Sequence, residues 1–447
     1  MAELIVRGGT VVTPDALFPA DIAIEAGLIT EVGPELSGSS SEIDASGLYV
    51  FPAVIDAHLH FNEPGRTEWE GAATGSRALA AGGGALFFDM PLNSTPPTVN
   101  AREFDLKQAA LEASSITDFA LWGGLIPGNL GEMGELAARG VVGFKAFMCD
   151  SGLPEFPRVD DLTLLDGLRD AARLGLPVAV HAESHELVQG LSRRVTDQGR
   201  QGIRDFLESR PVLAEVEAIQ RATLLAYDAG AKLHIVHVSS GLGVAVAAEA
   251  RARGVDVSIE TCPHYLFFTE EDVERLGAIA KCAPPLRHPI HQAALWEKVL
   301  DGTVDIIASD HSPSLSEMKC RTFWQAWGGI AGVQCTLAVL LDQGYHRRHL
   351  QLERIATLTA AEPAQRFAIG RRGRIAAGYS ADLAIVDLDA SFTLSSEGLL
   401  QRHPISPYAG ACFRGVPQMT IRRGEVICNR GTITAQTRGT LVRPTLT

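Results

Sequence analysis

Eight short apolar runs, most separated from the next by a helix-like segment, constrain this chain more than any other feature. They cover residues 53–57, 85–90, 119–123, 141–147, 178–181, 233–238, 255–260 and 304–310. Between most of them apolar residues recur at helical spacing, as at 69–81, 161–174, 213–229 and 244–253. A run that is apolar throughout belongs to a strand buried on both faces, as in parallel sheets covered by helices. Eight such units predict an α/β fold, a (β/α)8 TIM-like barrel. A doubly wound sheet is the alternative. It leaves unexplained why polar residues recur at so many strand ends, which in a barrel converge on one mouth.

The two ends of the chain read differently. Residues 1–50 are short strands and turns, with Leu4-Ile5-Val6 before Gly8-Gly9 and an alternating Asp21-Ile22-Ala23-Ile24 before Gly27. A similar pattern returns at Ala381–Asp387, Met419-Thr420-Ile421 and Glu425-Val426-Ile427. These segments are expected to pair as one small β-sandwich. The chain then divides into 1–52, a barrel over 53–370, and 371–447. A barrel of about 250 residues or more can form one unit, so the 447 residues do not demand three domains.

Composition removes several function classes. The formal net charge of -14, with no long block of lysine and arginine, argues against a nucleic-acid or anionic-membrane partner. The longest apolar stretch, at 330–341, is interrupted by Gln334 and is too short to span a bilayer. Seven cysteines lie scattered with no C-x-x-C pair, which fits a reducing cytoplasm rather than a disulfide framework. Residues 1–7 lack the basic-then-apolar pattern of a signal peptide.

The strand ends carry the chemistry. The first run closes on His58-Leu59-His60, and on a strand that spacing puts both imidazoles on one face. Lys145 sits inside an apolar run, where a lysine must be paired or modified. His181, His237 and Asp310 end three further runs. His234, three residues before His237, is turned to the other face by strand alternation and reads as structural. Any one of these histidines alone is an ordinary core or loop residue. Six metal-capable groups from five strands, at one mouth, make a two-metal site.

The order His-x-His, Lys, His, His, Asp resembles that of the amidohydrolase superfamily, in particular the cyclic amidohydrolases: dihydroorotases, dihydropyrimidinases (hydantoinases) and allantoinases. Within that group the chain is most similar to the allantoinase branch. The segments Glu63-Pro64-Gly65-Arg66, Asp89-Met90-Pro91-Leu92-Asn93, Gly143-Phe144-Lys145, Cys262-Pro263-His264-Tyr265, Ser309-Asp310-His311-Ser312-Pro313 and Trp327-Gly328-Gly329 carry the likeness. Dihydroorotases usually have an arginine two residues after the second metal histidine, where this chain has Asn62. Dihydropyrimidinases usually have a tyrosine five residues after the lysine, where this chain has Asp150; the oxyanion donor therefore stays unassigned.

The resemblance implies two divalent ions, zinc by default, with cobalt, manganese or iron also suited to such ligands. It assigns His58, His60 and Asp310 to one ion and His181 and His237 to the other. Lys145 bridges them as a CO₂-derived carbamate, because an ammonium there would repel both cations. It further implies hydrolysis of the hydantoin ring of allantoin to allantoate by a metal-bridging hydroxide, with Asp310 as general base and then acid. Another cyclic ureide as substrate is the alternative, and a non-catalytic assembly protein a more distant one. A homotetramer is implied by resemblance alone. Asn93 either bonds the ureide or is a turn residue between prolines. Arg66 is either a substrate clamp or half of a loop ion pair. Gly328 and Gly329 either offer backbone groups to the ring or mark a tight turn. Cys149 reads as inert packing, and Trp324 and Trp327 as packing or lid residues.

Overall fold

The computed structural model describes residues 2–445. Met1, Leu446 and Thr447, which the sequence assigns to the terminal segments, lie outside the described residues. Five strands come first: β1 (Leu4–Val12), β2 (Leu17–Glu25), β3 (Leu28–Gly33), β4 (Glu42–Asp44) and β5 (Tyr49–Pro52). The eight apolar runs then become β6 (Val54–Leu59), β7 (Gly84–Asp89), β8 (Asp118–Leu121) with the short β9 (Gly123–Gly124), β10 (Phe144–Phe147), β11 (Val178–His181), β12 (Leu233–Ile235), β13 (Val257–Thr261) and β14 (Ile306–Ile307). Last are β15 (Leu383–Thr393), β16 (Cys412–Arg422), β17 (Glu425–Asn429) and β18 (Thr432–Ile433).

β6 to β8 form one parallel sheet and β9 to β14 another, each in chain order. The amide of Asp310 donates to the carbonyl of His58 (2.9 Å) and that of His60 to His311 (2.8 Å), so the segment after β14 runs beside the end of β6. At the opposite join, the amide of Trp122 donates to Asp89 (3.1 Å) and that of Val142 to Leu121 (2.9 Å).

Strand alternation sorts the side chains into two cores. Ile55, Ala57, Leu86, Phe88, Ala120, Trp122, Ala179, Val236, Ile306 and Ala308 pack together on one face. Val54, Phe87, Phe119, Phe144, Val178, Val180, Leu233, Val257 and Ile259 pack on the other, with the helices. The helix Asp161–Leu174 shows how local signals fix those helices. Asp160 caps it by accepting from the amide of Thr163 (2.7 Å), and Gly175 ends it in the left-handed region at φ 73°. Leu164, Leu168 and Ala171 face inward.

Not every boundary follows the apolar pattern. The segment predicted as helix over 69–81 is helical only from Ala72 to Ala81. Glu63 accepts from the amide of Ala72 (2.8 Å), and Gly71, at φ 80°, turns the chain just before it. The run at 141–147 becomes strand only from Phe144.

Both ends of the chain share one nine-stranded sheet, in the order β18-β17-β16-β15-β5-β1-β2-β3 with β4 beside β1. The join is the antiparallel pair β5–β15, with Leu383 opposite Pro52 and Val386 opposite Tyr49. This sheet has its own apolar core, including Val6, Val11, Ile22, Ile24, Val50, Leu383, Ile385 and Ile421. It is latched to the parallel sheets through Asp118 of β8, which is fully buried. Asp118 pairs with Arg372 (2.7 Å) and Arg423 (3.3 Å) and accepts from the amide of Thr440 (3.0 Å). Asp118→Ala leaves these cations short of an anion. Arg372 keeps Asp382, so the loss is expected to cost about 1–3 kcal/mol, read as a lowered denaturation midpoint. An unchanged midpoint would show the latch to be dispensable.

Candidate functional site

His58, His60 and Asp310 meet where β6 and β14 end. Nε2 of His58 lies 3.3 Å, and Nε2 of His60 3.5 Å, from Oδ1 of Asp310. Each imidazole is held from behind. His58 donates through Nδ1 to Glu260 (2.7 Å), and His60 through Nδ1 to the carbonyl of Leu92 (3.1 Å). Fixing the proton on Nδ1 leaves both Nε2 lone pairs aimed at one point, the arrangement a metal-binding histidine needs. A bulge between Asp56 and Leu59 re-aims this strand end.

His181 and His237 form the other half. Nδ1 of His181 lies 3.1 Å from Nε2 of His237. Two lone pairs do not approach that closely unless a proton stands between them, and a cation can take its place. His181 donates through Nε2 to Glu183 (2.8 Å), which also pairs with Arg210. His237 adopts φ 42°, a strained left-handed conformation for a residue with a Cβ. Its ring centroid is 5.4 Å from that of His58.

Lys145, on β10, is 1% exposed, and its Nζ has no hydrogen-bond partner. It lies 5.1 Å over the ring of Phe147, which stacks on His181. Burial pulls this amine down to about 8, against the partial resistance of Asp310 and Glu260. Burial also pushes His60, His181 and His237 below the usual imidazole range, so they stay neutral, the form that binds metal. Burial would raise the Asp310 carboxyl, but His58, His60 and His237 hold it well below the usual range. An ionised carboxylate, four imidazoles and an orphaned buried amine fit divalent cations by the chemistry of the donor set.

Sequence reasoning missed the anions behind the histidines. Glu260, fully buried, accepts from His58 and from His234 (3.1 Å). Burial alone would raise its carboxyl, but His58 and His234 pull it down to about 2. His234 thus supports the site from below, bonded also to Ser258 (2.8 Å). Glu183 is held at about 2, where Arg210 and His181 outweigh burial. Asp56, pushed up to about 6 by burial, accepts from the amide of Ser309 (3.1 Å) and ties the ends of β6 and β14. A signal was present: Glu260 ends the seventh run, and Glu183 and Asp56 stand two residues from His181 and His58.

The expected substrate contacts divide. Asn93 is buried at φ 64°, and its amide donates to Ser312 (3.3 Å). Arg66 takes the loop-pair alternative: it is bound to Glu155 (2.6 Å) and donates to the carbonyl of Asn93 (2.9 Å). Gly329 packs where a Cβ would come within 2.3 Å of the Ser312 carbonyl, whereas Gly328 has open space. Cys149 is buried, as packing requires, Trp327 stacks edge-on against Trp69, and Trp324 donates to the carbonyl of Gly202 (3.2 Å). Asp150 is exposed and accepts from the amide of Gly152 (3.0 Å), a loop role.

If Glu260 orients His58, Glu260→Gln should weaken divalent-metal affinity about 10–100-fold, measured by competition with a chelating dye. Unaltered affinity would mean that His58 needs no anion behind it.

Residues 49–427 match the model of the amidohydrolase family. A curated relative from Solibacter usitatus (strain Ellin6076), named allantoinase, is 62% identical over 445 residues, 99% of this chain and 97% of its own length. Allantoinases from Rubrobacter xylanophilus (strain DSM 9941) and Escherichia coli (strain K12 / DH10B) are 55% and 40% identical, over 99% and 95% of this chain and 98% and 95% of their own. Among solved structures, the L-hydantoinase (dihydropyrimidinase) from Arthrobacter aurescens superimposes with a TM-score of 0.97 at 33% identity, covering 99% of this chain and 100% of that one. With the match running from β5 through all the parallel strands and into β17, the chain belongs to the amidohydrolase family.

Proposed function

We propose that this chain hydrolyses the hydantoin ring of allantoin to allantoate. The observation that carries the reading is the partnerless, buried Lys145 amine beside His181, His237 and Asp310. The high identity to allantoinases along nearly the whole chain supports the choice of substrate.

In this reading His58, His60 and Asp310 would hold one divalent ion, zinc by default, and His181 and His237 a second. Lys145, as a carbamate, would complete that donor set. The lowered pKa of its amine raises the unprotonated fraction, and that form adds to the carbon of CO₂ and loses a proton. A cationic side chain thereby becomes an anionic one. When bound, the ions supply a water that ionises near neutral pH and polarise the scissile carbonyl. Asp310, ionised and 14% exposed at the mouth, takes the proton of the attacking water and returns it to the departing ring nitrogen. The ring C–N bond breaks and a ureido acid is released. Asn93, in the turn after β7, is the candidate polar contact to the ureide.

The parallel strands close in this reading as an eightfold barrel over 53–370, with the paired segments 1–52 and 371–447 wrapping as a small β-sandwich. Leu213, Leu224 and Tyr227, all exposed, share one stripe of the helix Val212–Ala229 and offer a surface to other copies in a homotetramer. All seven cysteines are free, in keeping with the cytoplasm.

The likeness to solved hydantoinases favours a second reading, ring opening of another cyclic ureide. Allantoin, hydantoin, dihydrouracil and dihydroorotate supplied to the metal-loaded protein separate the two. Allantoin is expected to turn over fastest; faster turnover of hydantoin or dihydrouracil would transfer the assignment. Lys145→Ala is expected to lose most bound metal and most turnover, and bicarbonate during loading to raise metal occupancy of the unsubstituted protein. Normal metal content and rate in Lys145→Ala would remove the bridging role.

A further inference from the structure

His264 is a buried polar side chain near the site that the mechanism above does not use. It is 1% exposed, and neither ring nitrogen has a hydrogen-bond partner among the described residues. It lies on the short helix Pro263–Phe267 directly after β13, at the same end of the strands as the metal-capable groups. A ring nitrogen of His264, Sγ of Cys262 and a carboxylate oxygen of Asp310 lie within 4.8 Å of one another. The adjacent Tyr265, with ring centroids 4.2 Å apart, spends its hydroxyl on the carbonyl of Pro284 (2.7 Å). It therefore gives the imidazole no hydroxyl to bond.

An imidazole carries polar atoms on two edges, and burying them unpaired costs free energy that an apolar side chain of similar size would not. A chain that does so beside Asp310 keeps those atoms for something that arrives. A cyclic ureide presents alternating C=O and N–H groups along its ring and matches either a donor or an acceptor. We propose that His264 is a substrate-contacting residue, hydrogen-bonding a C=O or N–H of the cyclic ureide on the Asp310 side of the site. The assignment rests on the ureide-hydrolase reading given above. It does not require His264 to ligate metal or to change protonation.

The test compares metal-loaded His264→Leu and His264→Gln with the unsubstituted protein, measuring kcat, KM and metal per subunit. The leucine variant is expected to lose about 10–100-fold in kcat/KM, mostly through KM, with metal content unchanged. Glutamine, which keeps a donor and an acceptor, should recover most of that loss. Unchanged kcat/KM in His264→Leu would reduce the residue to packing. Loss of metal in step with activity would make it a metal-site residue and overturn the proposal. Should the leucine variant not fold, His264→Asn takes its place: the shorter amide is expected to show the same fall in kcat/KM, and normal kinetics there would overturn the assignment. An unsubstituted protein silent on all four ureides would instead sink the parent reading, and His264 with it.

Discussion

A buried amine with nothing to bond is the constraint around which the site is arranged. Lys145 stands on β10 between apolar neighbours, among His181, His237, Asp310 and Glu260 rather than beside a single counter-ion. An ammonium left so is among the more costly things a core can contain. Under the proposed carbamate the sign would reverse: the group that opposes cations would attract them, and the histidines around the site would serve as ligands.

The histidines would not serve without the layer behind them. Glu260, Glu183 and the Leu92 carbonyl each take one ring N–H, which settles the tautomer and leaves the other nitrogen toward the centre. Glu260 joins β6, β12 and β13 through His58, His234 and the amide of His237 (3.2 Å). That network also holds backbone that would not otherwise persist. His237 and Asp310 sit at φ 42° and 45°, conformations that cost energy and recur where geometry serves a ligand.

Much of this was legible in the sequence because strands announce themselves locally. Each apolar run became a strand, and His58, His60, Lys145, His181, His237 and Asp310 do gather at one end. What escaped depends on contacts distant in the chain. Arg66 finds Glu155, 89 residues away, and Glu260 finds His58, 202 away. No periodicity reports such pairs. A glutamate in isolation reads as surface, although at the end of a buried run it is an anion that must be paired. Helix starts erred where a cap comes from outside the helix, as Glu63 does for Ala72.

The central claim concerns a single covalent change, so the most direct measurement looks for it. Protein loaded with zinc in ¹³C-labelled bicarbonate should show a carbamate carbon resonance, absent from Lys145→Arg treated identically. One labelled carbon per site, released by acid together with the metal, is the predicted result. A fully metal-loaded, active protein with no such resonance would contradict the account.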